Sequence, residues 1–227
     1  MENFNELGVR DFSAISRDRN VQVYFKNIES HLVRHIEGAD IVVGCVAWLT
    51  SPAILRALSK KKGVSIIVQK EDWLRPDLHD RGDWKSWQKS RYSRLRSALA
   101  RLDIPFRDTI LSEMSYCGDP FLDAVRCVGN NNSLRLPAFP RMHHKFIVLC
   151  REAETEPQGY MNYEPYEVWT GSFNFTKNAA LSFENAIVLK DVRLVKAFFS
   201  EFAQIAALSE PLDWESEWVQ PQWRLGS

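Results

Sequence analysis

Residues 141–150 read RMHHKFIVLC, and this short run decides how the rest of the chain is understood. After Pro140 breaks the preceding loop, two histidines and a lysine lead into five apolar or sulfur-bearing residues, the pattern of a strand with a polar entrance. Side chains alternate across a strand, so His143 and Lys145 point to one face while His144 and Phe146 point to the other. A base and a cation are thereby placed together.

The segments before this strand alternate between two periods. VQVYF (21–25) reads as a strand, and in KNIESHLVRHIEGA (26–39) Ile28, Leu32 and Ile36 fall four apart, on one face of a helix that ends at Gly38. DIVVGCVAWLT (40–50) is too continuously apolar for a half-exposed strand and predicts the interior of a sheet covered on both sides. Ser51 as N-cap and Pro52 at the first helical position start a second helix, expected to run through AILRALSKKK to Gly63, before the strand VSIIVQ (64–69). Strand, helix, strand, helix, strand predicts an α/β fold: a mixed, largely parallel central sheet with helices on both faces.

Residues of about 70–140 are less regular and read as a basic, loop-rich insertion. WKSWQKSRYSRLRSALARLDIPFR (84–107) carries Lys85, Lys89, Arg91, Arg94, Arg96, Arg101 and Arg107 against Asp103 alone, and Tyr92, Leu95, Leu99 and Leu102 predict an amphipathic helix. Beyond the histidine strand, YEVWTGS (166–172) and ENAIVLKD (184–191) read as strands with a helical turn around TKNAALS between them. VRLVKAFFSEFAQIAAL (192–208) reads as a helix with Leu194, Phe198, Phe202 and Ile205 on one face. A Trp-rich tail at about 209–227 has no clear period, and Trp214, Trp218 and Trp223 are expected to dock against the core or a partner subunit. No repeat divides the chain, so one domain over 1–227 is expected.

Hydrophobic content of 45% and charge of 26% exclude the disordered class. Lys and Arg total 29, as do Asp and Glu, so attraction to an anionic polymer must come from a local cluster rather than from the net field. The first residues lack the apolar core of a secretory signal, and no run is long enough to span a membrane. Four cysteines, Cys45, Cys117, Cys127 and Cys150, follow no disulfide or zinc-finger spacing, and reduced buried thiols in a cytoplasmic protein are the simplest expectation. His31, His35 and His79 sit in no motif and read as surface or packing residues.

His143 and Lys145 are followed by GSFNFT (171–176), with Ser172 and Asn174, and by SFENAIVL (182–189), with Glu184. HxK, GS-x-N and a downstream Glu-Asn together resemble the phospholipase D superfamily. The resemblance implies a phospholipase D-like fold and a phosphodiesterase that works without a metal or other cofactor. His143 would be the nucleophile, forming a phosphohistidine, while Lys145, Ser172 and Asn174 hold the phosphate. Glu184 matches the family carboxylate that bonds an imidazole across the site. Chains with a single HxK pair as homodimers around a shared site, so a second copy is the implied partner. The family's Asp falls at Cys150, and restoring it by Cys150→Asp is expected to change activity modestly or not at all.

Cationic and aromatic residues in the insertion favour nucleic acid, DNA or RNA, as the substrate, with Lys85, Lys89, Arg91 and Arg94 as candidate contacts and Trp84, Trp87 and Tyr92 as stacking surfaces. A phospholipase acting on phosphatidyl lipids is the alternative, marked by an apolar rim near the groove. A catalytically weak nucleic-acid-binding or assembly module is the other.

Overall fold

A computed structural model describes residues 3–7, 10–70, 84–98, 123–129, 141–153, 163–212 and 214. Along the chain run α1 (Phe4–Leu7), β1 (Ala14–Ile15), β2 (Val21–Tyr24), α2 (Ile28–Glu37), β3 (Ile41–Val46), α3 (Pro52–Leu58), β4 (Gly63–Gln69) and α4 (Trp84–Tyr92). Then come β5 (Val125–Val128), β6 (Lys145–Glu152), β7 (Tyr163–Gly171), a 3₁₀ turn (Ala179–Leu181), β8 (Ala186–Leu189), α5 (Val192–Ala207) and β9 (Glu210–Pro211). The strands form one sheet in the order β1-β2-β8-β7-β6-β3-β4-β5-β9.

The α/β class is as expected, but the sheet is mostly antiparallel rather than largely parallel. Only β3/β4 and β4/β5 run parallel among the described pairs. The β3-α3-β4 crossover gives the first of these, as strand-helix-strand order requires. In the second half β6, β7 and β8 follow one another as antiparallel neighbours, and β6 lies antiparallel against β3. Hydrophobic alternation reports which face a residue occupies and carries no information on a neighbour's direction.

Both faces of the sheet are covered. Leu32 and Ile36 of α2, Ile54 and Leu58 of α3 and Tyr92 of α4 pack with Val42, Ile66, Ile147 and Leu149 on one face. Val195, Phe199, Phe202 and Ala206 of α5 pack with Val43, Phe146, Val148 and Cys150 on the other. The buried face of α5 is rotated from the expected stripe: Val195 and Phe199 point inward, while Leu194 is 45% exposed. All of β3 and β4 is buried, as their unbroken apolar sequence predicts.

Helix α3 starts as read, with Ser51 Oγ accepting from Ile54 N at 3.3 Å. It stops at Leu58, short of Gly63, and the lysine run lies beyond it. Lys61 Nζ instead donates to the carbonyls of Glu37 and Ala39 at 2.9 and 2.8 Å, closing the end of α2. Helix α4 likewise lies upstream of its expected place. Leu95–Ala98 forms a turn and a bridge against β4, in which Ala98 N donates to Val64 O at 2.9 Å. Leu99, Leu102, Cys117, His79, Trp218 and Trp223 lie outside the described residues, as do most of the expected insertion and tail. Trp214 docks edge-on against Tyr92, ring centroids 6.0 Å apart. Cys45, Cys127 and Cys150 are buried. His35 is the packing case: its Nδ1 bonds the buried Glu167 of β7, and its ring packs on Trp169.

Candidate active site

The site lies at one end of the sheet, where β3 and β7 finish and β6 and β8 begin. Antiparallel register puts Phe146 opposite Thr170 and Gly171 opposite Ala186, so the start of the histidine strand, the end of the GS strand and the Glu-Asn strand are neighbours. Open α/β sheets commonly place ligands beyond strand ends of this kind.

His143 is exposed immediately before β6, and Lys145 is the first residue of that strand. Lys145 Nζ donates to the His143 carbonyl at 2.9 Å and lies 3.2 and 3.3 Å from the two ring nitrogens of the imidazole. His144 faces away, its Nε2 3.4 Å from Glu201 of α5 and its ring edge-on to Phe146. The strand period therefore separates the adjacent histidines as the sequence indicated. Burial lowers the His143 pKa, and the charges of Lys145, Arg141 and His144 lower it further. Burial also lowers the Lys145 pKa, against the opposing charge of Glu184. The result favours a neutral imidazole beside a cation.

Two loops flank this pair. At the end of β7, Gly171 has φ of 150°, and a Cβ there would collide with the Asn185 backbone, so glycine allows β7 to turn into Ser172 beside β8. Ser172 Oγ donates to Glu184 and accepts from Asn185 N at 3.0 Å. The Ser172 backbone N donates to Asn185 O at 3.2 Å. Asn174 Oδ1 is buried with no hydrogen-bond partner among the described residues, while its backbone carbonyl accepts from Thr176 N at 2.7 Å. Next along, the Phe175 carbonyl accepts from both Thr50 N and Ser51 N at 2.9 Å, fastening this loop to the one after β3.

That second loop supplies a residue the motifs did not indicate. Trp48 meets the His143 ring edge-on, with centroids 5.5 Å apart and planes at 82°, and Lys145 Nζ lies 6.0 Å from its centroid. Trp48 Nε1 is buried without a partner among the described residues. An aromatic residue ending an otherwise aliphatic buried strand was the available signal. Beneath the histidine, buried Gln69 at the end of β4 accepts from Met142 N at 2.7 Å and fixes the backbone that carries the imidazole.

The chain thus assembles His143, Lys145 and Trp48 as one group and Ser172, Glu184 and Asn185 as another, coupled through the Glu184 charge acting on Lys145. Among the described residues Glu184 bonds Ser172 and no imidazole. The Ser172 hydroxyl proton is committed to Glu184. Among the described residues, no three His, Cys, Asp or Glu side chains gather as a metal-holding group.

Residues 40–206 match the family described as cardiolipin synthase, PLD-like domain. The chain belongs to this phospholipase D-like family, a phosphodiesterase class. It is 31% identical over 220 residues to uncharacterized protein L381 of Acanthamoeba polyphaga mimivirus, covering 94% of this chain and 75% of that one. Among solved structures, phosphatidylserine synthase of Haemophilus influenzae Rd KW20 has a TM-score of 0.50 at 10% identity, covering 92% of this chain and 42% of the synthase. NucT from Helicobacter pylori has a TM-score of 0.49 at 15% identity, covering 83% of this chain and 96% of NucT.

Proposed function

We propose that this phosphodiesterase cleaves nucleic acid, DNA or RNA, through a covalent phosphohistidine on His143 and without a metal. The observation that carries the reading is the His143–Lys145 pair, an imidazole biased to the neutral form with an ammonium against it. In the first step an imidazole nitrogen attacks phosphorus and the P–O bond to the leaving nucleotide breaks. The departing alkoxide takes a proton from a second imidazolium. Water then attacks the phosphohistidine, giving its proton to that second imidazole and releasing His143. Lys145 and Asn174 balance charge on the phosphate oxygens.

His144, turned to the α5 face, does not supply the second imidazole. His143 of a second copy would, with the two sites facing each other across a two-fold axis and Glu184 reaching the facing imidazole. Phe183, next to Glu184, is 68% exposed and stacks on Phe4, and Phe25, after β2, is 41% exposed. This apolar rim suits a subunit contact. We read the whole chain as one domain working in the cytoplasm, in keeping with the buried thiols of Cys45 and Cys150.

The test combines oligonucleotide cleavage in EDTA with a measurement of mass in solution. Cleavage that survives chelation, disappears in His143→Ala and belongs to a particle of twice the chain mass is expected. Activity abolished by EDTA, or full activity in a monomer, overturns the mechanism. The apolar rim also favours a second reading, hydrolysis of phosphatidyl lipids. Turnover of phosphatidylglycerol vesicles with none of oligonucleotides would establish that instead. No helix among the described residues is long and apolar enough to cross a membrane.

A further inference from the structure

Helix α4 has an inner and an outer face of different chemistry. On the inner face Gln88 Nε2 and Tyr92 Oη both donate to the Leu49 carbonyl, at 2.7 and 2.8 Å. Leu49 directly follows Trp48, the residue against the His143 ring, so α4 is fastened to the wall of the site. Tyr92 and Leu95 belong to the same apolar cluster as Ile147 and Leu149 of β6. Lys145 shares the strand face of those two residues, so α4 covers the side of the sheet on which the reactive pair stands.

Away from that face the helix is cationic and aromatic: Trp87 and Arg91, four apart, share one flank, Lys89 lies on the opposite flank, and Lys85, three before Gln88, turns toward the inner side. Lys89 and Arg94 are exposed, Lys85 and Arg91 half-buried, and no acidic residue occurs from Trp84 to Ala98. Among the described residues no carboxylate pairs with any of these four cations. Trp87 is 40% exposed, and the Arg91 guanidinium lies over its ring at 4.0 Å. A solvated cationic helix needs lysines and arginines but has no use for an indole held in water. The stacked Trp87–Arg91 pair presents flat π surfaces between flanking charges, and a flat aromatic surface among cations suits bases that are not already stacked in a duplex.

We infer that α4 is a single-strand platform, on which a base stacks against the Trp87–Arg91 pair while Arg94 and, on the far flank of the helix, Lys89 hold flanking phosphates. The inference rests on the nuclease reading for its class of substrate and adds the strandedness. A duplex offers α4 phosphates only, whereas a single strand offers phosphates and open base faces.

The experiment measures binding by fluorescence anisotropy, using the full His143→Ala chain in EDTA with labelled single-stranded DNA, single-stranded RNA and the matching duplex. Cleavage plays no part in this readout, so failure of the chemistry above and failure of this inference are separately visible. Both single strands are expected to bind more tightly than the duplex. Trp87→Ala should weaken single-strand binding by about tenfold, while Trp87→Phe retains most of it. Lys89→Gln should lower the dependence of log affinity on log salt by about 0.7. Melting curves establish that each variant is folded. Tighter binding of the duplex, single-strand affinity unchanged in a folded Trp87→Ala chain, or binding to phosphatidylglycerol vesicles with none to oligonucleotides would overturn the inference.

Discussion

Replacing Cys150 by aspartate would restore the acid of the family motif, and the structure predicts that it costs stability without repairing catalysis. Position 150 lies five residues beyond Lys145 on the opposite strand face, packed with Phe146, Val148, Phe199 and Phe202 under α5. Burial raises the Cys150 thiol from 9.0 to about 12. Three pH units correspond to about 4 kcal/mol for placing a negative charge there. That is a large share of the ~5–15 kcal/mol that holds a domain together. An aspartate at this site would have its folded-state pKa raised above the unfolded value of about 3.9, so the folded form binds the extra proton. The variant should therefore lose stability as pH rises from about 4 to about 7, with the full loss above that range. Below about pH 4 only the smaller cost of burying a neutral carboxyl, about 1–3 kcal/mol, should remain. Urea denaturation of both chains at pH 4.5 and 8 measures this directly, and activity per folded molecule should not rise. Equal stability at pH 8, or a large gain in turnover, would show that a carboxylate at 150 escapes the core and reaches the phosphate, contrary to the geometry.

Two further outcomes follow from the site. Lys145→Met removes one of the charges that depress the His143 pKa, so the imidazole titration, followed by NMR, should move upward; burial is the larger cause, so it should remain below the ordinary 6.5. A downward movement would contradict the pairing. Gly171→Ala places a side chain against the Asn185 backbone at φ of 150°, and should cost more than about 1 kcal/mol in urea denaturation, whereas an unchanged midpoint would refute the close approach.

The central feature of the site was legible because it depends on one local rule. A strand period of two placed His143 with Lys145 and sent His144 to the far side, and the Ser51-Pro52 start of α3 was equally local. Errors arose where tertiary contacts decide. The lysines after α3 were expected to extend it, but Lys61 found carbonyls at the end of α2. The spacing of Tyr92 and Leu95 suggested a helix continuing forward, yet backbone pairing of Arg96 and Ala98 with Val64 draws that segment to the sheet. Trp48 belongs to no motif, and its role depends on two loops meeting in space. Glu184 bonds Ser172 within the chain, and the imidazole expected to meet it across the site would come from a second copy.

The double acceptance by the Phe175 carbonyl makes one machine part of two stretches of chain far apart in sequence. Trp48 and Asn174 ride on opposite sides of that joint, so an insertion in either segment would displace both walls together. Chains built this way have little freedom to diversify at the reactive centre itself. Changes in what is cut, as opposed to how, should accumulate outward of Leu49, where the outer surface of α4 can vary without loosening the joint.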